Sequence, residues 1–307
     1  MTAVPNTSSA PLPLSLAMRM RLFAGDIKIA HTVFAMPWAI LSAALAGKII
    51  PGSLSIGKIV LIVVCMVAAR TVAMAANRLI DAELDAKNPR TAGRAIPSGK
   101  LPHGFVRMIL GICCCVFVVA AAGFEVLYRN PWPVIFSGPV LVYLCGYPYM
   151  KRLTRLCHYY LGAALALAPV CAWIAVAGRI DWPPVVMFVI VAAWTAGFDI
   201  IYACQDYASD LATGVVSAPS RMGIGRALWL SRATHLIAAA MLLVLGLIVP
   251  QFHLFYWIGA GAAIALLIVE QSLVGPEDLS RVNVSFFTIN GIISIVVGTL
   301  AIVDLLL

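Results

Sequence analysis

Long apolar stretches separated by short polar segments run through most of the chain. Each stretch has roughly the 20 residues that an α-helix needs to cross the hydrocarbon core of a bilayer. An open sheet cannot satisfy its backbone hydrogen bonds in lipid, so the stretches are predicted to be helices. We expect an all-α, polytopic membrane protein with nine transmembrane helices, near residues 27–50, 55–80, 104–124, 132–150, 158–178, 184–206, 228–250, 254–274 and 284–306.

The N-terminal residues do not share this pattern. Residues 1–18 are rich in Ser, Pro, Thr and Ala and are predicted to form a flexible tail without the features of a signal peptide. Residues 19–307 are expected to form a single transmembrane domain.

Composition supports the membrane assignment. Hydrophobic residues make up 62% of the chain and charged residues 11%, whereas soluble domains have about 25% charged residues. A cytosolic enzyme, a disordered protein and a secreted disulfide scaffold are thereby excluded. The eight cysteines lie mostly within or beside apolar runs and are interpreted as small buried hydrophobic residues.

The distribution of the 21 Lys and Arg residues predicts the orientation in the membrane. Sixteen lie in the N-terminal segment and in the loops after even-numbered spans, four lie on the other side, and Arg70 lies inside the second span. Because cytoplasmic loops are enriched in Lys and Arg, the N-terminus is expected in the cytoplasm. This asymmetry accounts for most of the net charge of +8, so no nucleic-acid partner is expected.

Acidic residues gather at the predicted cytoplasmic ends of the second and sixth spans. Asp81 and Asp85 lie at the first of these ends, with Glu83 between them, and Asp206 and Asp210 lie at the second. The two clusters are four spans apart, which predicts two four-helix repeats followed by one further helix.

Spacing within these clusters indicates a metal–diphosphate site. Residues separated by three or four positions share a helix face. Neighbouring carboxylates repel each other unless a cation lies between them. A hard divalent cation such as Mg²⁺ commonly bridges carboxylates to phosphates, and its binding would explain why these acids lie together. The alternative is a pair of solvated helix ends. The spaced residues are Asn77, Asp81 and Asp85 in the first cluster, and Asp199, Tyr202, Asp206 and Asp210 in the second.

Basic residues close to these acids suit a phosphate ligand. Arg90 and Arg94 follow the first cluster in a segment whose proline and glycine residues favour a structured loop. Lys151 ends the fourth span, one helical turn after Tyr147. Each arginine in the loop can instead be ordinary cytoplasmic-loop charge. Arg70 lies about two turns deeper than Asn77, and a charge within the membrane is a candidate site residue.

These residues resemble the signatures of the UbiA superfamily of intramembrane prenyltransferases. Its first signature, Asn-x-x-x-Asp-x-x-x-Asp followed by Arg-Thr-x-x-Arg, corresponds to the segment 77–94. Its second, Asp-x-x-Tyr-x-x-x-Asp-x-x-x-Asp, corresponds to 199–210, and a Tyr-x-x-x-Lys element corresponds to Tyr147 and Lys151. The resemblance covers nearly the whole chain and implies nine helices around a central cavity.

The resemblance also implies a reaction. A polyprenyl diphosphate is expected in the cavity, and Mg²⁺ is expected to make the diphosphate a better leaving group. The resulting allylic cation then alkylates an aromatic acceptor. The implied roles are metal binding by Asn77, Asp81, Asp85, Asp206 and Asp210, diphosphate binding by Lys151, Arg94, Arg90 and Arg70, and catalysis by Asp199, Tyr202 and Tyr147.

Departures from the UbiA signatures indicate which branch of the superfamily this chain resembles, but they do not identify the aromatic acceptor. Arg78 and Gln205 stand where many relatives have Asp and Lys. Together with the segment Phe34-Ala35-Met36-Pro37, they look most like a prokaryotic branch labelled 4-hydroxybenzoate polyprenyltransferase-like, some of it linked to the futalosine route to menaquinone. An inner-membrane enzyme of ubiquinone or menaquinone biosynthesis is therefore expected, acting on 4-hydroxybenzoate or a naphthoate-type acceptor.

Other interpretations remain at this point. Haem O synthase and chlorophyll synthase belong to the same superfamily, and secondary transporters also have internal repeats and intramembrane charges. Arg70 can bind a carboxylate or a phosphate, and Asp199 can orient the acceptor. His31 lies near the start of the first span, where an acceptor can enter. The other histidines, which are expected at the membrane interface, are His103, His158, His235 and His253.

Overall fold

The computed structural model describes residues 14–27 and 34–307, and these residues are mostly helical, with no strand among them. The predicted all-α class is confirmed. The predicted role of His31 and most of the predicted tail lie outside the described residues. Within the predicted tail, residues 16–18 already belong to the first helix.

Thirteen α-helices make up the described part of the chain. The first six are α1 (Leu16–Asp26), α2 (Met36–Ile49), α3 (Ile56–Ile80), α4 (Ala82–Lys87), α5 (His103–Tyr128) and α6 (Trp132–Leu153). The other seven are α7 (Cys157–Ala177), α8 (Trp182–Ala203), α9 (Tyr207–Thr213), α10 (Ala218–Met222), α11 (Ile224–Ile248), α12 (Leu254–Ser272) and α13 (Asn290–Leu306).

Eight of the described segments are long and apolar enough to cross a membrane. The protein is therefore an integral membrane protein. The first predicted span corresponds to α2. This helix has 14 residues in the described part of the chain and is shorter than the other eight segments. The count of nine spans thus stays a prediction, while the other eight spans agree with the sequence to within a few residues at most ends.

The ends of these helices follow local sequence. Ser55 precedes α3, and its hydroxyl accepts a hydrogen bond from the Lys58 N–H at 3.3 Å, which satisfies one of the free donors at a helix start. Gly178 and Gly214 end α7 and α9 with φ of 69° and 75°, a left-handed conformation that glycine adopts without steric cost. These caps fix where the chain turns back across the bundle.

The two acidic segments adopt the same backbone conformation. At Asp81, between α3 and α4, φ and ψ are −91° and 4°. At Asp206, between a 3₁₀ turn and α9, they are −93° and 5°. Each acidic helix end is thus followed by a short helix after the same bend. This match agrees with the predicted pairing of the second span with the sixth.

Small residues bring α7, α8 and α11 close together at the centre of the bundle. A Cβ added at Gly162 of α7 would lie 2.2 Å from the Ala192 carbonyl oxygen of α8. A Cβ added at Gly197 of α8 would lie 2.1 Å from the His235 ring of α11. Small residues that let neighbouring helices approach closely are the usual basis of helix packing in lipid.

Two of the histidines predicted at the membrane interface are buried in the bundle. His158 and His235 are each 3% exposed. His235 lies in the middle of α11 and hydrogen-bonds the Trp194 carbonyl oxygen at 3.2 Å. The prediction was wrong for His235, because partners on neighbouring helices satisfy this ring inside the bundle. His158 lies at the start of α7, so its place at the interface stays a prediction.

Substitution of Gly162 tests the close packing of α7 on α8. We expect Gly162→Ala to lower the free energy of unfolding by about 1–3 kcal/mol, because the backbone of Ala192 cannot move aside cheaply. Thermal unfolding in detergent measures the effect. Gly261→Ala is the matched control, because a Cβ there meets nothing within 4 Å; equal melting temperatures for both variants would contradict the packing.

Candidate active site

A large cavity runs between α3, α5, α6, α7 and α8. Its volume is about 440 Å³. Both Cys157 and Ala175 of α7 line it, and 18 residues of helix between them span roughly 27 Å. The cavity therefore extends from the ends of the acidic helices, here called the acidic end, through most of the bundle.

All twelve predicted site residues line this cavity. They come from three transmembrane helices and the segments that follow two of them, and the fold brings them to the walls or the mouth of the same cavity. They are Arg70, Asn77, Asp81, Asp85, Arg90, Arg94, Tyr147, Lys151, Asp199, Tyr202, Asp206 and Asp210.

Basic side chains pair with the carboxylates of the first acidic cluster. Lys151 from the end of α6 donates to Asp81 Oδ2, and the Asn77 amide donates to the same oxygen at 3.1 Å. Arg94 Nη1 lies 2.7 Å from both carboxylate oxygens of Asp85. Asp81 is 1% exposed and Asp85 is 7% exposed. Since a buried charge is costly without a partner, each of these carboxylates is placed against a cation at the cavity wall.

The loop after the first cluster reaches across to the second. Arg90 forms a bidentate pair with Asp206, with Nε–Oδ1 and Nη2–Oδ2 distances of 2.9 Å and 2.6 Å. The Asn88 amide donates to Asp206 Oδ1 at 2.8 Å. The two clusters predicted from sequence spacing therefore lie against each other across the cavity mouth.

Arg90 also contacts Tyr202. Its Nη1 donates to the Tyr202 hydroxyl at 3.1 Å, and its Cζ lies 5.2 Å from the ring centre. Burial by itself lowers the pKa of the Arg90 guanidinium, but the hydrogen bonds and negative charge of Asp206 outweigh it, so that this pKa is raised. Arg90 is thus a fixed positive charge between the two acidic helix ends.

A histidine–aspartate pair lies just below this mouth. His158 Nδ1 is 2.7 Å from Asp199 Oδ2, and His158 Nε2 accepts a hydrogen bond from the Ala218 N–H at 3.1 Å. The ring is therefore oriented from both sides, and Nδ1 carries the hydrogen that it donates to the carboxylate. Asp210 accepts a hydrogen bond from the Ser217 hydroxyl at 2.7 Å.

Five aromatic side chains cover the side of the cavity formed by α8 and the start of the last transmembrane segment. Tyr202 and Phe286 have ring centres 4.1 Å apart, and Phe198 lies edge-on to Phe286 at 5.1 Å. We call this set the aromatic wall. Its members are Phe34, Phe198, Tyr202, Phe286 and Phe287.

Asp26 compensates the buried charge of Arg78. Arg78 Nε lies 3.3 Å from Asp26 Oδ2, and both side chains are at most 10% exposed. Arg78 Nη1 also donates to the Asn77 side-chain oxygen at 3.0 Å. Arg78 therefore turns the Asn77 amide so that its nitrogen faces Asp81, and it ties α1 to the site.

The sequence profile described as the UbiA prenyltransferase family matches residues 35–292. The chain belongs to the UbiA prenyltransferase family. It is 30% identical over 269 residues to a 4-hydroxybenzoate octaprenyltransferase of Vibrio campbellii, covering 86% of this chain and 88% of that protein.

Solved structures agree with this assignment. A UbiA homologue from Aeropyrum pernix K1, solved without ligand, superposes with a TM-score of 0.80 at 27% identity, covering 90% of this chain and 98% of that one. A UbiA homologue from Archaeoglobus fulgidus, described as bound to GPP and Mg²⁺, superposes with a TM-score of 0.72 at 16% identity, covering 93% and 100%. This chain is thus a transferase with the fold of these proteins.

Several residues at the UbiA-family site were not predicted from the sequence. His158 and Asp26 are distant from their partners along the chain, so spacing gives no signal for them. Asn88 lies inside the motif loop, where an amide next to a proline is typical of an ordinary turn. Phe286 and Phe287 lie in an apolar run, and only the fold places them beside Tyr202.

A double-mutant cycle tests the buried Arg78–Asp26 pair. We expect Arg78→Met to lower the free energy of unfolding by about 3 kcal/mol, because Asp26 is left without its cation. Arg78→Met combined with Asp26→Leu should cost less than the sum of the two single variants. Melting temperatures in detergent give the comparison, and additive losses would mean that the two residues do not interact. Arg179→Ala, which breaks the largely exposed Arg179–Asp181 pair, is the control and should change little.

Proposed function

We propose that this UbiA-family chain transfers a polyprenyl group from polyprenyl diphosphate to an aromatic acceptor that is a precursor of ubiquinone or menaquinone. The observation that carries the proposal is the meeting of both acidic clusters, through Arg90 and Asn88, at the mouth of a long apolar cavity. Such a site offers charge for a diphosphate at one end and room for a prenyl chain along the rest.

The acidic end fits a divalent cation by the chemistry of its donors. Described residues include no group of three or more His, Cys, Asp or Glu side chains close enough to hold a metal. The carboxylate oxygens at the cavity mouth are nevertheless the kind of ligand that Mg²⁺ prefers. The residues that would hold it are Asn77, Asp81, Asp85, Asp206 and Asp210. When bound, Mg²⁺ supplies Lewis-acid stabilisation of the negative charge on the diphosphate.

The cations of the site bind the diphosphate in this proposal. Lys151, Arg94 and Arg90 each pair with a carboxylate at the cavity mouth, and each has donors that suit phosphate oxygens. They stabilise the charge that develops on the leaving diphosphate as its bond to the allylic carbon breaks. The electron pair of that C–O bond leaves with the diphosphate.

The allylic cation forms next to electron-rich rings. Tyr202 lies in the aromatic wall, and Tyr147 lies one turn before Lys151, whose Nζ is 5.4 Å from the Tyr147 ring centre. Each ring can stabilise a nearby cation by about 0.5–2 kcal/mol. The apolar lining excludes water, which would otherwise capture the cation.

The Asp199–His158 pair takes the proton in this proposal. When a ring carbon of the acceptor forms its bond to the allylic carbon, the hydrogen on that ring carbon must leave as a proton. Asp199 lies on the cavity wall beside Tyr202 and can accept it. His158, which is held by the Ala218 N–H, keeps the carboxylate of Asp199 in place.

Arg70 is assigned to the acceptor rather than to the diphosphate. It lies seven residues before Asn77 on α3, roughly 10 Å deeper in the cavity. An acceptor that carries a carboxylate, such as 4-hydroxybenzoate or a naphthoate, would bind there with its ring near the acidic end. The relative from Vibrio campbellii, named for 4-hydroxybenzoate, supports this class of acceptor.

The orientation of the protein in the membrane is inferred from the distribution of its Lys and Arg residues. The acidic end is also the end with most Lys and Arg residues, and we place it, with the N-terminus, on the cytoplasmic side of a bacterial inner membrane. Soluble acceptors and Mg²⁺ reach the cavity mouth from that side.

The acidic clusters can be tested by single substitutions. We expect Asp81→Ala and Asp206→Ala each to reduce prenyl transfer at least about a hundredfold, because each loses a carboxylate that would hold Mg²⁺ and that positions a cation proposed to bind the diphosphate. Membranes containing the protein are incubated with labelled polyprenyl diphosphate, Mg²⁺ and either 4-hydroxybenzoate or a dihydroxynaphthoate. Chelation of Mg²⁺ should stop the wild-type reaction, and re-addition should restore it.

Glu83→Ala is the control for these variants. Glu83 lies between Asp81 and Asp85 in the chain but is exposed, so its loss should leave transfer unchanged. Normal turnover by either aspartate variant, or the absence of any labelled lipid from both acceptors with the wild type, would overturn the proposed function.

Arg70 can be tested separately. We expect Arg70→Gln to raise the KM for a carboxylated acceptor at least about tenfold, because a charge-assisted pair is lost. The KM for the polyprenyl diphosphate should stay within about twofold. A rise in the diphosphate KM alone would assign Arg70 to the diphosphate instead.

A further inference from the structure

An unusual helical turn opens the last transmembrane segment. Val284–Ile289 form one π-helical turn before α13. Such turns leave backbone carbonyl groups without their usual partners and occur often at functional sites. Here the Asn290 side-chain amide donates to the carbonyl oxygens of Ser285 at 3.0 Å and Phe286 at 3.2 Å.

A buried polar network holds Asn290 in this position. Glu270 Oε1 of α12 accepts hydrogen bonds from the Asn290 amide at 2.7 Å and from the Ser285 hydroxyl at 3.2 Å. Trp194 Nε1 of α8 donates to Asn290 Oδ1 at 2.5 Å. Glu270, Ser285 and Asn290 are 0% exposed and Trp194 is 2% exposed. The network therefore links three helices around the π-helical turn, in a place where apolar side chains would be cheaper to bury.

The turn carries two residues of the aromatic wall. The Phe286 ring centre lies 4.1 Å from that of Tyr202 and 6.0 Å from that of Phe34. The Phe287 ring centre lies 5.9 Å from that of Tyr202 and 4.6 Å from that of Phe286. A regular α-helix through the same residues would rotate these rings relative to α8. The geometry of the π-helical turn thus sets the orientation of the Phe286 and Phe287 rings in the aromatic wall.

The aromatic wall suits the ring of the acceptor better than it suits the prenyl chain. The opposite side of the cavity, from α3, α5, α6 and α7, has four aromatic residues, Phe117, Phe124, Phe136 and Tyr147, dispersed among aliphatic ones such as Ile62, Val140 and Leu165. The rings of the aromatic wall instead pack directly on one another. An aromatic ring gains from stacked or edge-on partners, whereas a flexible prenyl chain needs only apolar surface. The wall also lies beside Asp199, to which the acceptor proton is assigned.

We propose that Asn290 and Glu270 are positioning residues for the aromatic acceptor. They hold the π-helical turn, and the turn presents Phe286 as the surface on which the acceptor ring packs. The inference rests on the proposed function, and it adds the surface on which the acceptor ring packs and the residues that fix the shape of that surface.

Acceptor and donor kinetics test this assignment. The network is broken by Glu270→Leu and by Asn290→Ala, and the packing surface itself is removed by Phe286→Leu, which leaves the network intact. Glu270→Gln retains an oxygen that accepts from Ser285 and Asn290. Ile292→Ala, at an exposed position on α13, is the matched control. For each variant, the KM values for the aromatic acceptor and for polyprenyl diphosphate are measured in membranes.

We expect Glu270→Leu, Asn290→Ala and Phe286→Leu each to raise the acceptor KM about threefold to tenfold, because an aromatic contact is displaced or lost. The diphosphate KM should change by less than about twofold, which a general loss of structure would not allow. Glu270→Gln and Ile292→Ala should match the wild type.

Several outcomes would overturn the inference. One is an unchanged acceptor KM in Phe286→Leu, which remains informative if the network variants fail to fold. Another is an equal rise of both KM values, and a third is a Glu270→Gln enzyme as impaired as Glu270→Leu. If the wild type prenylates no aromatic acceptor, the proposed function fails as well. If the wild type transfers normally and the acceptor KM is unaltered in the variants, only the assignment of the acceptor to the aromatic wall is rejected.

Discussion

The pairing of buried carboxylates with cations is the constraint on which this structure depends. A charge without a partner in a low-dielectric interior costs several kcal/mol, and this chain places acids where helices end inside the bundle. Asp81 is paired with Lys151 and Asp85 with Arg94, while Asp206 is paired with Arg90. Each pair joins different segments, so neutralising the charges also draws α3, α6, α8 and the intervening loop to one point. The buried Asp26–Arg78 pair adds α1 to the same assembly.

In the proposed function, the same pairs prepare the site for a diphosphate. A diphosphate would bring negative charge to a mouth that already contains carboxylates, so its binding requires cations that can turn from the acids to the phosphates. Lys151, Arg94 and Arg90 are the cations proposed for this exchange, which would free the acids for a divalent cation. The proposal thus gives a reason for acids and bases to be so closely interleaved in a protein with few charged residues.

Hydrogen bonding fixes the other half of the cavity by the same principle. Polar groups inside the bundle are satisfied locally, and the side chains that satisfy them become rigid. The Asn290 network does this for the π-helical turn, and Ser294 does it for Phe34 through a bond of 2.8 Å from its hydroxyl to the Phe34 carbonyl oxygen. His158 acts similarly on Asp199. Charge pairing therefore shapes the acidic end, whereas networks of hydrogen bonds shape the aromatic wall, and the proposed reaction takes place where the two meet.

The sequence alone determined the membrane fold, the paired acidic helix ends and the twelve candidate site residues, because these depend on local properties. Span length, hydropathy and a spacing of three or four residues are readable without a structure. The pairing of Arg90 with Asp206, the burial of His158 against Asp199, and the approach of Phe286 to Tyr202 depended on tertiary structure. In each of these pairs the partners are far apart in sequence, and only helix packing decides which side chains meet. The π-helical turn was hidden for a related reason: its stability comes from Glu270 and Trp194 on other helices, so the apolar segment that contains it is indistinguishable in sequence from a regular transmembrane helix.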